Sequence, residues 1–173
     1  MPVFGYVPED CDPMRPPWPT NEIARQQALD ASGITQRPPS SEFQRIAEQA
    51  ALLAATPIAA VSFVDRNRQW LAARVGISDS ERPRSESFCA FAIMRPGEPL
   101  IVTDATQDPR FVDNPAVLGA PYVRFYAGIP LVDAAGFALG ALCVADTSPR
   151  LQTFDVYDLS HLARQAERLM SQR

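Results

Sequence analysis

The sequence contains no lysine and only one histidine, and these shortages exclude several kinds of site. All 16 basic residues are arginines, they are scattered along the chain, and the net charge is −4. A surface that binds nucleic acid needs clustered positive charge, so we expect no nucleic-acid partner. No cluster of Cys, His or Asp accompanies His161 at ligand spacing, so the sequence predicts neither a metal site nor a catalytic triad.

Cysteine is also scarce, and long apolar runs are missing. Cys11, Cys89 and Cys143 are far apart and form no CxxC pair, which favours neither a disulfide framework nor a zinc site. No stretch approaches the roughly 20 apolar residues that cross a bilayer, and the N-terminus lacks the basic and apolar regions of a signal peptide. We therefore expect a cytoplasmic chain with no membrane partner.

Proline divides the chain into two regions. It interrupts residues 1–19 repeatedly and forms the cluster Pro16-Pro17-Trp18-Pro19, which predicts an extended N-terminal arm. Residues 20–173 have the length and apolar patterning of one globular domain. We therefore predict two parts, an arm over 1–19 and a domain over 20–173.

The apolar patterning of the domain predicts helices at both ends and hairpins between them. The predicted elements are helices over 20–32 and 41–55, strands over 58–64 and 69–75, a short helix over 87–94, strands over 100–103, 124–132 and 137–145, and a last helix from about 153. The segments 77–84 and 104–123 are predicted to be loops. Strands that follow one another as hairpins favour an antiparallel sheet, and we expect the terminal helices to cover one of its faces.

Several short blocks together resemble the GAF family of bacterial sensory domains. These blocks include Thr56-Pro57-Ile58-Ala59, Ser87-Phe88-Cys89-Ala90, Asp108-Pro109-Arg110-Phe111, Arg124-Phe125-Tyr126-Ala127-Gly128 and Gly140-Ala141-Leu142-Cys143-Val144. The resemblance spans about residues 20–171 and is greatest to GAF domains that precede histidine-kinase or cyclic-nucleotide-cyclase output domains. It implies an α+β fold with a six-stranded antiparallel sheet, terminal helices on one face, and a loop-roofed pocket on the other.

The same resemblance implies a function, which is to bind a small molecule and regulate bacterial signal transduction. The fold does not identify the ligand or any cofactor. Since no catalytic set is recognisable, the sequence predicts that the chain is not an enzyme. GAF domains commonly pair through their terminal helices, so we expect a homodimer. No output domain follows the last helix, so an output protein, if there is one, is expected to be a separate signalling chain.

Aromatic and polar side chains near the implied pocket are the candidate ligand-binding residues. They are Trp70, Phe88, Cys89, Phe91, Phe111 and Tyr126 for stacking and enclosure, and Asp104 and Arg110 for polar contacts. Each of these residues has a structural alternative. The aromatic rings could simply belong to the hydrophobic core, and the loop aspartates could form ion pairs with arginines. Because neighbouring strand residues face opposite sides, only one of Phe125 and Tyr126 is expected to face the pocket.

Cys89 and Cys143 support a different function. Some GAF-fold enzymes reduce free methionine sulfoxide with cysteines, and on this alternative Cys89 and Cys143 form the redox couple of a thiol reductase. The structural interpretation is that both are small buried side chains, the common position of a free cysteine. A chromophore or haem protein is a third alternative, which a colourless purified protein would exclude.

Overall fold

The computed structural model describes residues 15–172, so Cys11 and most of the predicted arm lie outside the described part of the chain. The regular elements are α1 (Glu22–Ser32), α2 (Ser41–Ala54), β1 (Ile58–Val64), β2 (Arg68–Val75), β3 (Glu81–Pro83), α3 (Phe88–Ala92), β4 (Leu100–Val102), α4 (Pro115–Leu118), β5 (Phe125–Val132), β6 (Ala138–Asp146) and α5 (Tyr157–Ser171).

The six strands form one sheet in the order β3-β2-β1-β6-β5-β4, and each neighbouring pair is antiparallel. The hairpins β1–β2 and β5–β6 meet in the middle, where β1 pairs with β6 from Ile58 opposite Ala145 to Phe63 opposite Gly140. The prediction of one antiparallel layer built from two hairpins is therefore confirmed. Gly140 makes this pairing possible, since a Cβ atom there would overlap the carbonyl group of Ser62.

The terminal helices α1, α2 and α5 cover one face of the sheet. Their apolar side chains and those of the strands form a core that includes Leu29, Phe43, Ile46, Phe63, Phe125, Leu142, Leu159 and Leu162. Phe125, Ala127, Ile129 and Leu131 of β5 all face this core, as strand alternation requires. The predicted α+β fold with helices on one face is confirmed.

The opposite face is covered by α3, α4 and the loops around them. A second core lies here, and its members include Phe88, Ala90, Ile93, Val102, Phe111, Val117, Tyr126, Ala141 and Cys143. As expected, Tyr126 faces this side while its neighbour Phe125 faces the helices. The sheet therefore separates a helical layer from an irregular layer, and the candidate site belongs to the irregular one.

The Ser40 hydroxyl caps α2 by accepting a hydrogen bond from the Phe43 amide at 3.2 Å. Three local features differ from the sequence predictions. The last helix begins at Tyr157, not near 153. The segment 77–84 contains the three-residue strand β3, and 104–123 contains α4, which is capped by the Asn114 side chain.

Two features are absent from residues 15–172. No helix there is both long enough and apolar enough to cross a membrane. No group of three or more His, Cys, Asp or Glu side chains in that range is arranged to hold a metal ion.

Candidate functional site

An aromatic cluster lies between α3 and β5 on the irregular side of the sheet. Ser87 caps α3 by accepting a hydrogen bond from the Ala90 amide at 3.1 Å. The Phe88 ring stacks on Phe111 with centroids 4.1 Å apart, and it lies 5.0 Å from the Tyr126 ring. Phe91 meets the same Phe111 ring edge-on at 4.9 Å. Four of the predicted aromatic residues are thus brought together.

Tyr126 reaches the middle of this layer because of a glycine two residues later on β5. A Cβ atom at Gly128 would overlap the Tyr126 ring and hydroxyl, so the ring lies along the strand where that side chain is missing. The Tyr126 hydroxyl then lies 3.1 Å from Cys89 Sγ. Gly128 is therefore the residue that lets Tyr126 contact Cys89.

Cys89 Sγ is the centre of a buried polar group. Ser62 Oγ and Gln69 Nε2 each lie 3.2 Å from it, and the Tyr126 hydroxyl lies 3.1 Å away. The Cys143 thiol lies close enough to Cys89 to change its pKa. Cys89 is 1% exposed and Cys143 7% exposed. The structure thus brings the two cysteines together, as the reductase alternative requires, and buries both, as the structural alternative requires.

These contacts shift the pKa values of the two thiols in opposite directions. The hydrogen bond from Cys143 lowers the pKa of Cys89 against the opposing effect of burial, and the bonds from Ser62 and Tyr126 lower it further. Donation to Cys89 and burial raise the pKa of Cys143 well above its usual value. Burial also raises the pKa of Tyr126, with the charge of Cys89 adding to it. Cys89 is therefore the thiol that ionises first.

Trp70 does not belong to this site. It packs near Phe63 on the helical side, with ring centroids 6.1 Å apart. The cause is a bulge in β2: Val61 pairs with Ala73 but Ser62 pairs with Leu71, so one extra residue reverses the side-chain alternation. Gln69 therefore faces Cys89, and Trp70 faces the helices.

Asp104 and Arg110 have structural contacts in their own loop. The Asp104 carboxylate accepts hydrogen bonds from the Thr106 amide at 3.0 Å and hydroxyl at 2.6 Å. Arg110 forms a two-bond pair with Asp108, at 3.0 Å and 2.7 Å. Both line an open cleft of about 500 Å³ outside the aromatic cluster, and Arg110 lies 5.2 Å above the Phe111 ring.

The sequence analysis missed Ser62 and Gln69, which complete the polar group. Ser62 carried a readable signal, because it is the one polar residue in the otherwise apolar strand Ile58–Val64. A hydroxyl in a buried strand needs a partner, and that requirement predicts a polar contact on this face. Gln69 carried no such signal, since its orientation depends on the bulge.

A second buried polar group was also missed, and it joins α1 to the turn that follows β3. The Glu22 carboxylate accepts two hydrogen bonds from Arg25 at 2.8 Å and one from Arg84 at 2.6 Å. Burial raises the pKa of the Glu22 carboxyl, but these bonds outweigh it and lower the pKa to about 2. Glu22 is therefore ionised at any physiological pH.

Comparisons with known proteins agree with this geometry. A family model described as GAF domain matches residues 38–170. A cyclic di-GMP phosphodiesterase from Pseudomonas aeruginosa is 46% identical over 151 residues, which make up 86% of this chain and 26% of that protein. The chain thus spans about a quarter of the length of this curated relative.

Solved structures share the fold at low sequence identity. The type II free methionine-R-sulfoxide reductase from Thermoplasma acidophilum has a TM-score of 0.59 at 15% identity, over 80% of this chain and 92% of that one. The GAF domain from the Acinetobacter phosphoenolpyruvate-protein phosphotransferase has a TM-score of 0.58 at 17% identity, over 86% and 92%. At these identities the similarity establishes the fold alone.

The prediction that the chain is not an enzyme is wrong. The curated relative is named as a phosphodiesterase, and one of the structural neighbours is a reductase. The prediction relied on the absence of a recognisable catalytic motif, and such an absence carries little weight in a fold that also occurs in enzymes.

Proposed function

Because the chain belongs to the GAF domain family, we propose that it is a cytoplasmic, small-molecule-binding regulatory domain of bacterial cyclic di-GMP signalling. The observation that supports this most strongly is the 46% identity to the Pseudomonas phosphodiesterase, which extends over 86% of this chain. The match takes up about a quarter of that protein. On this proposal the domain controls cyclic di-GMP turnover in response to a ligand.

The aromatic cluster is the proposed ligand site. Phe88, Phe91, Phe111 and Tyr126 offer ring faces and edges for a planar molecule, and the Arg110 guanidinium lies over the Phe111 ring as a cation. These rings pack on one another, so a ligand has to separate α3 from β5 as it enters. Ligand binding would then move the irregular layer relative to the sheet, which is the kind of change that a sensor transmits.

A thermal-shift screen with a matched pair of variants tests this site. Cyclic di-GMP, cyclic GMP, cyclic AMP and GTP are the probes, because each has a planar base and a phosphate. A ligand at about a hundredfold its Kd stabilises the fold by roughly 2.7 kcal/mol, which raises Tm by several degrees. We expect at least one probe to raise Tm in the wild-type protein.

The variants locate the effect. Phe91→Ala removes a half-buried ring from the cluster, and we expect it to abolish the ligand-induced rise in Tm. Phe137→Ala removes a half-buried ring that packs on the helical side, and the rise should persist. A screen in which no probe raises Tm, or in which both variants respond equally, contradicts a ligand site in the aromatic cluster.

The polar group around Cys89 favours a second function, thiol-dependent reduction of free methionine sulfoxide. In this reaction the Cys89 thiolate attacks the sulfoxide sulfur. With uptake of a proton, the sulfur–oxygen bond of the sulfoxide breaks, the oxygen is transferred to the Cys89 sulfur as a sulfenic acid, and methionine leaves. The Cys143 thiol then attacks the sulfenic sulfur, which forms a Cys89–Cys143 disulfide and releases water. An external dithiol reduces the disulfide. The division of roles follows from the lowered pKa of Cys89 and the raised pKa of Cys143.

Thiol reactivity separates this function from the first. We expect the reductase to consume free methionine sulfoxide with dithiothreitol as the reductant, and Cys89→Ser to abolish the activity. Cys11→Ser is the matched control, since Cys11 lies outside the candidate site in sequence and should have no effect. If Cys89 and Cys143 both resist alkylation in the native protein at neutral pH, the reductase function fails.

A further inference from the structure

A cleft separate from the aromatic cluster lies where the β1–β2 turn meets the turn that follows β3. Its volume is about 350 Å³, within the range of small-molecule sites. The lining is rich in cations, and its side chains include Arg15, Trp18, Arg66, Asn67, Arg84 and Ser85. Among the described residues that line it, none is acidic. The cleft therefore has the chemistry of an anion site.

Arg84 is the buried cation of this cleft, and one of its two terminal guanidinium nitrogens already has hydrogen-bond partners. Nη1 donates to the Glu22 carboxylate at 2.6 Å and to the Asp65 carbonyl at 3.2 Å. The side chain is 6% exposed, and Nη2 is buried with no hydrogen-bond partner among the described residues 15–172. A buried donor without a partner is costly, and an oxyanion is the partner that arginine binds most strongly. Glu22 thus fixes the guanidinium and leaves Nη2 to a ligand.

Trp18 and Arg66 surround Arg84 with side chains that can adjust. The Trp18 ring lies 4.0 Å from the guanidinium centre of Arg84, yet 59% of the residue is exposed. Arg66 pairs with Asp30 in an ion pair whose side chains are 62% and 44% exposed. Exposed pairs of this kind contribute little to stability, so Arg66 can turn toward an incoming anion.

We propose that this cleft binds the phosphoryl group of a small molecule through Arg84 and Arg66, with Trp18 as a movable cover. A phosphoryl group presents several oxygens in different directions, so guanidinium groups on two sides of the cleft can each reach one. The Trp18 ring lies over the guanidinium that carries Nη2, and on this proposal a ligand that reaches Nη2 displaces the indole. This site does not depend on the proposed regulatory function, since its residues are distinct from those of the aromatic cluster.

The test is a fluorescence titration with inorganic phosphate at constant ionic strength, with chloride as the exchanged anion. The Trp70→Phe protein is used, because Trp18 is then the only tryptophan and its emission reports the cleft alone. We expect a saturable change in emission with phosphate. Arg84→Gln should weaken binding roughly tenfold or more, because it removes a charge-assisted hydrogen bond.

Two further variants keep the test decisive if Arg84→Gln unfolds the protein. Arg66 lies on the exposed side of the cleft, so Arg66→Gln should weaken phosphate binding several-fold without changing the fold. Arg95→Gln is the control, since Arg95 is also an exposed arginine and pairs with Glu98 elsewhere. A titration with no saturable change in Trp18 emission, or equal weakening by Arg66→Gln and Arg95→Gln, overturns the proposal.

Discussion

At the scale of single residues, Glu22 decides how the N-terminal helix is attached to the sheet. Its carboxylate binds Arg25 and Arg84, and both arginines are buried. If the carboxylate is protonated or replaced, two buried cations lose their partner, and an unpaired buried charge is strongly destabilising. The attachment of α1 should therefore depend on pH.

The direction of that dependence follows from the lowered pKa of Glu22. Its pKa falls from 4.5 to about 2 on folding, so its contribution is complete above about pH 4.5 and is lost as the pH falls toward 2. With allowance for solvent screening, the contribution at neutral pH is about 2 kcal/mol. We expect Glu22→Gln to lower the free energy of unfolding by that amount at pH 7, and the difference from wild type to shrink below pH 4.5.

Urea unfolding at a series of pH values measures this difference. Glu42→Gln is the control, because Glu42 is exposed on the first turn of α2. A Glu22→Gln protein whose deficit in unfolding free energy stays the same at every pH would show that ionisation of Glu22 does not stabilise the attachment of α1.

At the scale of elements, the contact of β1 with β6 joins the two hairpins into one sheet. Gly140 lies where β6 approaches the Ser62 backbone most closely. We expect Gly140→Ala to lower the free energy of unfolding by about 2 kcal/mol or more, because the added methyl group forces these strands apart. Denaturant unfolding monitored by circular dichroism measures the loss.

Gly119→Ala is the matched control for that experiment. Gly119 has an extended backbone, and a Cβ atom there would lie 3.3 Å from the Pro115 carbonyl oxygen, so a small shift accommodates it. Its cost should stay below about 1 kcal/mol. Equal costs for the two substitutions would mean that the close approach at Gly140 does not limit strand pairing.

The sequence predicted the elements with strong periodicity and missed those that depend on tertiary contacts. The hairpin strands and α2 were placed to within a few residues because their apolar patterns are long. The strand β3 was missed because Glu81, Arg82 and Pro83 at the sheet edge have no apolar periodicity, and α4 because it is one turn long. Trp70, a candidate pocket residue, faces the helices because a bulge in β2 reverses the alternation of its side chains, and the sequence does not reveal that bulge.

The same limit applies to the candidate site. Phe88, Cys89, Phe111 and Tyr126 were predicted because they lie in blocks typical of the family, and the structure does bring them together. The Glu22–Arg84 contact joins residues 62 positions apart, and nothing local in the sequence indicates it. Long-range polar contacts of this kind follow from the packing of elements, which composition and periodicity do not encode.

At the scale of the whole molecule, apolar side chains remain exposed on the terminal helices. Leu52 and Leu53 on α2 are 80% and 56% exposed. We propose that these helices form the interface of a homodimer, since a two-fold partner would cover the same patch on each copy. Size-exclusion chromatography with light scattering should give twice the chain mass, and Leu52→Asp should shift it toward the monomer.

A substitution away from these helices serves as the control for the dimer. Leu118 is 64% exposed on α4, on the other side of the sheet, so Leu118→Asp should leave the mass unchanged. A wild-type protein that stays monomeric at high concentration would mean that the exposed leucines do not mediate self-association.

The most direct test of the regulatory function is the rate of cyclic di-GMP hydrolysis by a chimera. In the chimera this chain replaces the matching quarter of the Pseudomonas phosphodiesterase. We predict that the chimera hydrolyses cyclic di-GMP, that Phe91→Ala in the aromatic cluster changes the rate, and that Phe137→Ala does not. A chimera whose rate equals that of the relative with the segment deleted, and is the same with either substitution, would contradict the proposed function.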